Sequence, residues 1–240
     1  MANREEYIKR PNPSEKIWQY MDFIHFVSLI DKGCLFFRQA KKFSDPYEGS
    51  FTWLISQREY QLGDDSYKRM IVEVYNDARQ RTAVTCWHIN SEESAAMWDL
   101  YSNRRQGIAI QSTVERLHSS LAKSAPKGMK SGTVNYFTKG EKVLVKPGAA
   151  GFSGEDIWFY KRKSFEHEKE YRITIQASDR AKIEVEGGIY VAVDLKLLIE
   201  KIYIAPSAET WKCNLIHSVA NKYGLSVPIR QSDLDKAELY

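Results

Sequence analysis

The chain has 240 residues, of which 43% are hydrophobic and 28% charged, the balance of a globular protein rather than a disordered one. A chain of this length buries roughly 70–75% of its unfolded surface, so it can build a core without disulfide or metal staples. Lys and Arg total 35 against 31 Asp and Glu, and a net charge of +4 is too mild to indicate nucleic acid as the main partner.

The first residues, Met1-Ala-Asn-Arg-Glu-Glu-Tyr7, carry no apolar signal stretch, and no apolar run approaches the about 18 residues of a membrane span. A soluble, cytoplasmic protein is expected, with residues 1–15 as an N-terminal arm and 16–240 as a single domain. Lys16-Ile-Trp-Gln-Tyr20 alternates as a strand, and a helix follows it. Asp22 can cap that helix, Phe23, Phe26, Val27 and Ile30 recur at i, i+3, i+4 and i+7, and Gly33 suits the residue after its last turn. Cys34 to Arg38 reads as a short buried strand, and Lys41 to Gly49 as a polar loop around Asp45-Pro46. Helical stretches are expected over 51–61 and 66–80, then a β-branched strand from Thr82 to His88. Asn90 and Glu93, three apart, form a capping-box pattern for a helix over 91–102, on which Met97, Trp98 and Tyr101 share a face. After the turn Asn103-Arg-Arg-Gln-Gly107 come a strand from Ile108 to Ser112, a short helix from Thr113 to Ala122, and a basic loop from Lys123 to Gly132. Strands are then expected over 133–137, 142–145, 170–176, 182–185, 189–193 and 201–204. A last helix over 207–223 carries Trp211, Leu215 and Val219 in register and ends at Gly224. Helices gather early and strands late, with no alternating βαβ repeat, which points to an α+β fold with a mostly antiparallel sheet.

Three scattered cysteines, Cys34, Cys86 and Cys213, do not form a disulfide framework, and the histidines are not paired at ligand spacing, so no metal site is expected. Cys86-Trp-His88 puts a thiol and an imidazole on one face of a strand. A buried inert thiol is the ordinary reading and a Cys–His nucleophile the sharper one. No Gly-x-Gly-x-x-Gly, phosphate loop or Gly-x-Ser-x-Gly elbow occurs. Asp194-Leu-Lys196 is the nearest approach to the Glu-x-Lys of a metal nuclease core.

Three islands hold side chains suited to chemistry. In the first, Lys161-Arg-Lys-Ser-Phe165-Glu-His-Glu168-Lys-Glu170-Tyr-Arg172, a strand would put Glu166, Glu168, Glu170 and Arg172 on one face. Neighbouring carboxylates repel unless a cation separates them, and Arg172 with Lys161 or Lys163 can do so. The pattern reads either as carboxylates held in a cleft, ready to bind ribose hydroxyls or activate a nucleophile, or as a solvated edge strand. The second island, Phe43-Ser-Asp45-Pro-Tyr-Glu48-Gly49, presents Asp45 and Glu48 on a loop, although Asp before Pro is also ordinary turn chemistry. The third, Met97-Trp98-x-x-Tyr101, is a core stripe by its spacing. If it faced a pocket, Trp98 and Tyr101 would stack on a base or nicotinamide ring, with the Trp18 and Tyr20 strand as a second wall. Arg104-Arg105 and Lys161-Arg162-Lys163 are solvated surface or phosphate contacts.

In this order, Trp18 with Tyr20, the Asp45-Pro-Tyr-Glu48 loop, Met97-Trp98-x-x-Tyr101 followed by Gly107, and Lys161-x-x-x-Phe165-x-x-Glu168-x-Glu170-x-Arg172 resemble the islands of the bacterial domain-of-unknown-function family 2971. The resemblance spans about Lys16 to Leu234, with Phe165 where that pattern usually carries Trp. It implies no reaction. It does imply a pocket in which Tyr20, Asp45, Glu48, Trp98, Tyr101 and Lys161 bind substrate and Glu168, Glu170 and Arg172 are catalytic. The order Trp18-Gln-Tyr20, Gln111-Ser-Thr113, Glu168-x-Glu170 also resembles ADP-ribosyltransferases, with Gln19 where those enzymes usually show Arg or His. That likeness implies an NAD-consuming toxin or phage-defence effector, with NAD as substrate rather than resident cofactor. In it a glutamate would hold the nicotinamide ribose and stabilise positive charge on the sugar as nicotinamide leaves. Beside it stand a non-catalytic binding or regulatory module with a structural Glu–Arg network, and third a nucleic-acid-processing enzyme. A small molecule or nucleotide is the expected partner. A one-residue bulge decides which of Glu166, Glu168 and Glu170 faces inward.

Overall fold

The computed structural model describes residues 8–45, 47–49, 64–101, 106–138, 156–177, 183 and 187–236. In chain order the elements are β1 (Lys16–Asp22), α1 (Phe23–Lys32), β2 (Cys34–Gln39), α2 (Asp65–Arg81), β3 (Thr82–Ile89), α3 (Ala95–Tyr101), β4 (Gly107–Thr113), α4 (Val114–Leu121), β5 (Lys130–Thr133), β6 (Asn135–Phe137), β7 (Tyr160–Arg162), β8 (Glu170–Gln176), β9 (Gly188–Ala192), α5 (Leu195–Leu198), β10 (Lys201–Ile204), α6 (Thr210–Lys222) and β11 (Ile229–Gln231). Short 3-10 segments lie at Ala40–Lys42, Asp156–Phe159 and Lys163–Glu168. The fold is α+β, and most strand pairs are antiparallel. The expected helix over 51–61, the strand over 142–145, Pro46, Arg104-Arg105 and, Ile183 apart, the strand over 182–185 lie outside the described residues.

The chain forms two compact units. One comprises Met1–Pro11, Phe37–Cys86 and Pro126–Ile189, the other Asn12–Phe36, Trp87–Ala125 and Tyr190–Tyr240.

In the second of these, β4 is central. It pairs antiparallel with β1, from Lys16 opposite Thr113 to Asp22 opposite Gly107, and with β10, from Lys201 opposite Gln111 to Ile204 opposite Ile108. β11 extends β10 in parallel, and the end of β3 pairs with β1 at Ile17 and Trp18. Ala109 lies opposite both Tyr20 and Tyr203, and its small side chain sits in a core cluster with Trp18, Tyr20, Met97, Trp98 and Tyr203. The Tyr20 and Trp98 rings meet edge to face at 5.1 Å, and Trp18 lies 4.9 Å from Tyr203, geometries that aromatic quadrupoles favour. Asp22 caps α1 by accepting the His25 N–H at 2.8 Å, and Gly33 closes it at φ 57°. α3 starts at Ala95 rather than at 91. Ser94, not Asn90, stands at its entrance and accepts from the Met97 N–H, while Glu93 accepts from the Trp98 indole.

In the first unit β8 is buried from Glu170 to Ile175 and pairs with β3 and β5, the latter from Lys130 opposite Thr174 to Thr133 opposite Tyr171. The single strand expected over 133–137 is two, β5 and β6, and β6 pairs in parallel with β7. Ala40, Val84, Ile157 and Trp158 make a small core against which Phe43, Cys86 and Tyr160 pack. No described helix is long and apolar enough to cross a membrane.

Candidate functional site

The strand expected over 170–176 forms as β8, but the continuous strand that would set Glu166, Glu168, Glu170 and Arg172 on one face does not. β7 ends at Arg162, a 3-10 segment covers Lys163–Glu168, and Lys169, at φ 40°, turns the chain into β8. A left-handed lysine costs about 1–3 kcal/mol, and the surrounding packing has to hold it there. Its effect is geometric. Strand alternation does not gather the carboxylates; the turn brings Glu168 and Glu170 onto one ammonium and leaves Glu166 exposed.

Lys161 Nζ donates to Glu168 Oε2 at 2.7 Å and to Glu170 Oε1 at 2.8 Å, with Glu48 Oε2 at 3.9 Å. Arg172 Nε donates to Glu170 Oε2 at 2.7 Å, Nη2 to Glu170 Oε1 at 2.9 Å and also to Glu48, and Nη1 to the Trp158 carbonyl at 2.7 Å. The Glu170 N–H donates to the Tyr136 hydroxyl at 2.9 Å. Arg172 is 1% exposed and Lys161 7%, so charges at these depths persist only because each is paired.

The loop that delivers Glu48 is held by its own chemistry. Asp45 Oδ1 accepts the Tyr47 N–H at 3.0 Å, the Asp45 carbonyl accepts the Glu48 N–H at 3.2 Å, and Gly49 follows at φ 72°. A Cβ on Gly49 would fall 2.2 Å from the Trp158 ring, so the loop packs on the residue whose carbonyl receives Arg172. Asp45 also accepts from Arg162, through Nη2 at 2.9 Å and Nε at 3.3 Å. The Arg162 guanidinium lies 4.8 Å from the Tyr47 ring and 5.2 Å from Phe165, and Lys161 Nζ lies 4.7 Å from Phe165.

Burial alone would raise every carboxyl here. For Glu170 the Arg172 and Lys161 cations, with the hydrogen bonds of Arg172 and Glu168, overturn that and hold it well below the usual carboxylate range. For Glu168 burial prevails, helped by the hydrogen bond and charge of Glu170 and opposed by Lys161, and its pKa is pushed up to about 7. Desolvation would lower the Lys161 ammonium, but Glu170 and Glu48 raise it, and Arg172 likewise stays charged. With Glu168 protonated, two carboxylates face two cations. Burial, reinforced by Glu170, pushes the Cys86 thiol far up, leaving it un-ionised and a poor nucleophile. Among the described residues no group of three or more His, Cys, Asp or Glu side chains could hold a metal ion.

Of the nine residues singled out from sequence, Glu48, Lys161, Glu168, Glu170 and Arg172 therefore meet directly, and Asp45 lies in the same unit on Arg162. Tyr20, Trp98 and Tyr101 belong to the other unit. There Tyr20 accepts the Ser94 N–H at 2.9 Å and Trp98 donates to Glu93 at 3.1 Å within the aromatic core, while Tyr101 is 48% exposed. Ser112 donates to the Leu198 carbonyl and Thr113 caps α4, so both hydroxyls serve the fold. Sequence reasoning missed Trp158 and Tyr136. One contributes a backbone carbonyl, which no side-chain pattern marks, and the other a hydroxyl from a three-residue strand without a charged motif.

A family model described as protein of unknown function (DUF2971) matches residues 97–173. That stretch contains the Met97-Trp98-x-x-Tyr101 and Lys161-to-Arg172 islands; the Trp18 and Asp45 islands precede it. No curated protein matches the sequence. The chain is similar to the solved structure of Thermus sp. 2.9 DarT in complex with NAD+, with 8% identity and a TM-score of 0.42 over 93% of this chain and 98% of that one. It is also similar to the same protein in complex with ADP-ribosylated ssDNA, with 8% identity and a TM-score of 0.41 over 92% and 94% of the two chains.

Proposed function

We propose that the Lys161–Glu168–Glu170 cluster is the reactive centre of an NAD-consuming enzyme of the ADP-ribosyltransferase type, in which Glu168 carries the proton and Glu170 supplies fixed negative charge. One observation carries this reading: two carboxyls two residues apart share one ammonium, yet their protonation is driven in opposite directions. Such a split is how one site holds an acid–base group beside a permanent anion. A pKa near the working pH also suits Glu168 to proton transfer. In the reaction the nicotinamide–ribose bond breaks with its electron pair leaving on nicotinamide, and positive charge builds on the sugar. A hydroxyl or water then forms the new C–O bond and gives its proton to ionised Glu168. NAD is the substrate to test because of the order of the Trp18, Gln111 and Glu168 islands, and a toxin or phage-defence effector is the biological form such an activity takes.

A second reading is favoured by Arg172, all three of whose nitrogens are engaged inside the protein. In it the cluster is the structural keystone of a binding or regulatory module. The two readings separate in one experiment: nicotinamide release from NAD by wild-type protein, Glu168→Gln and Glu170→Gln, with mass spectrometry for ADP-ribose on the protein and on added DNA, RNA or lysate. The enzyme reading expects turnover that falls about 10²–10⁴-fold in a folded Glu168→Gln protein. No turnover, no adduct and no thermal shift with NAD would leave the module reading in its place.

A further inference from the structure

Arg162 takes no part in the buried cluster, yet it is the most elaborately held cation beside it. Its neighbour in β7, Lys161, points inward to the two glutamates, whereas the Arg162 side chain is 35% exposed. Asp45, itself buried, takes Nε and one N–H of Nη2, which leaves the outer edge of the guanidinium, Nη1 and the second Nη2 N–H, without a partner among the described residues. Tyr47 and Phe165 both lie against the guanidinium, so its plane is fixed by two rings as well as by the carboxylate. Phe165 touches Lys161 too, so the outer edge of Arg162 lies one ring away from the Lys161–Glu168 pair. A fork of parallel N–H donors held in one plane is the geometry that binds phosphate oxygens in pairs.

We infer that Arg162 receives the phosphate or diphosphate of a nucleotide substrate at the rim of the Lys161–Glu168 centre and that Asp45 is its positioning residue. The inference deepens the proposed function and rests on it for the identity of the reacting bond, but the anion site has its own geometry and its own test. Asp45 thereby acts through Arg162 and does not touch substrate. Lys161, fully committed to carboxylates, is excluded as the phosphate ligand even though it adjoins Arg162 in sequence.

The experiment measures binding of ADP and of adenosine by calorimetry, and NAD turnover, on wild-type protein, Arg162→Lys, Arg162→Gln and Asp45→Asn. Charge-assisted hydrogen bonds of this kind lead us to expect about tenfold to hundredfold weaker ADP binding in Arg162→Gln. The KM for NAD should rise alongside, with kcat near wild type and adenosine affinity unchanged. Arg162→Lys keeps the charge but loses the fork, and should fall between the two. Asp45→Asn should weaken ADP binding in the same direction, and melting curves of all variants establish that they are folded. ADP affinity equal to wild type in folded Arg162→Gln overturns the inference, as does wild-type protein that binds no ADP. NAD turnover with an unchanged KM in Arg162→Gln overturns it while leaving the proposed reaction standing. Arg162-dependent ADP binding without NAD turnover supports the anion site and removes the reaction instead.

Discussion

Replacing Arg172 by Met tests whether the cluster holds the first unit together. The substitution keeps much of the side-chain volume but leaves Glu48 and Glu170, both about 5% exposed or less, facing a single ammonium, and strips the Trp158 carbonyl of its donor. Removing one partner of a buried pair costs about 3–5 kcal/mol because an uncompensated charge stays behind. For a chain of this size each kcal/mol lowers Tm by about 2–4 °C, so the loss should be about 6–20 °C. Thermal and urea melts followed by circular dichroism at pH 7.5 would measure it. The double variant Glu48→Gln/Arg172→Met removes one orphaned carboxylate and should regain part of the loss, a positive coupling in a double-mutant cycle. A Tm within 2 °C of wild type for Arg172→Met, or no recovery in the double variant, would refute the reasoning that mutual charge compensation fixes this cluster.

Glu168 makes stability depend on pH with a definite sign. Its folded pKa of about 7 lies above the ordinary 4.5, so its contribution is present below about pH 4.5 and is lost as pH rises through 7. Glu170, held low, contributes in the opposite sense, and its share is lost as pH falls below its ordinary value. Urea melts from pH 5 to 8 should therefore show Glu168→Gln gaining on wild type, by on the order of 1–3 kcal/mol at the alkaline end, and parallel curves would contradict the assignment. Gly49→Ala sets a Cβ into the Trp158 ring at positive φ and should destabilise by about 2–4 kcal/mol, read as a shifted urea midpoint. Tyr20→Phe removes the acceptor of the Ser94 N–H from the other unit's aromatic core and should cost about 1–2 kcal/mol while leaving nicotinamide release unchanged. A Tyr20→Phe protein of wild-type stability and lost turnover would place Tyr20 in the chemistry after all.

Local patterning was enough to determine the elements that depend on local forces. α1 runs from its Asp22 cap to Gly33, β4 follows the apolar run after Gly107, and α4 is capped by Thr113, because capping and hydrophobic periodicity act within a few residues. The charged islands were legible for the same reason: Glu48, Lys161, Glu168, Glu170 and Arg172 stand out as residues a core would reject unless paired. Only the tertiary structure decided which of them meet. The strand reading of 161–172 put Glu166 in the row, and a left-handed Lys169, which no propensity favours, removed it. Glu48 reaches Arg172 across 124 residues of sequence, and the Trp158 carbonyl completes the arginine through backbone alone. Tyr20 and Trp98 went to an aromatic core because the small Ala109 lies opposite Tyr20 and Tyr203, a register that strand pairing sets and spacing along one strand does not encode. Even the opposite protonation of Glu168 and Glu170, two carboxyls of one type two residues apart, follows from depth and from which cations each one touches. Those are properties of the folded packing rather than of either residue.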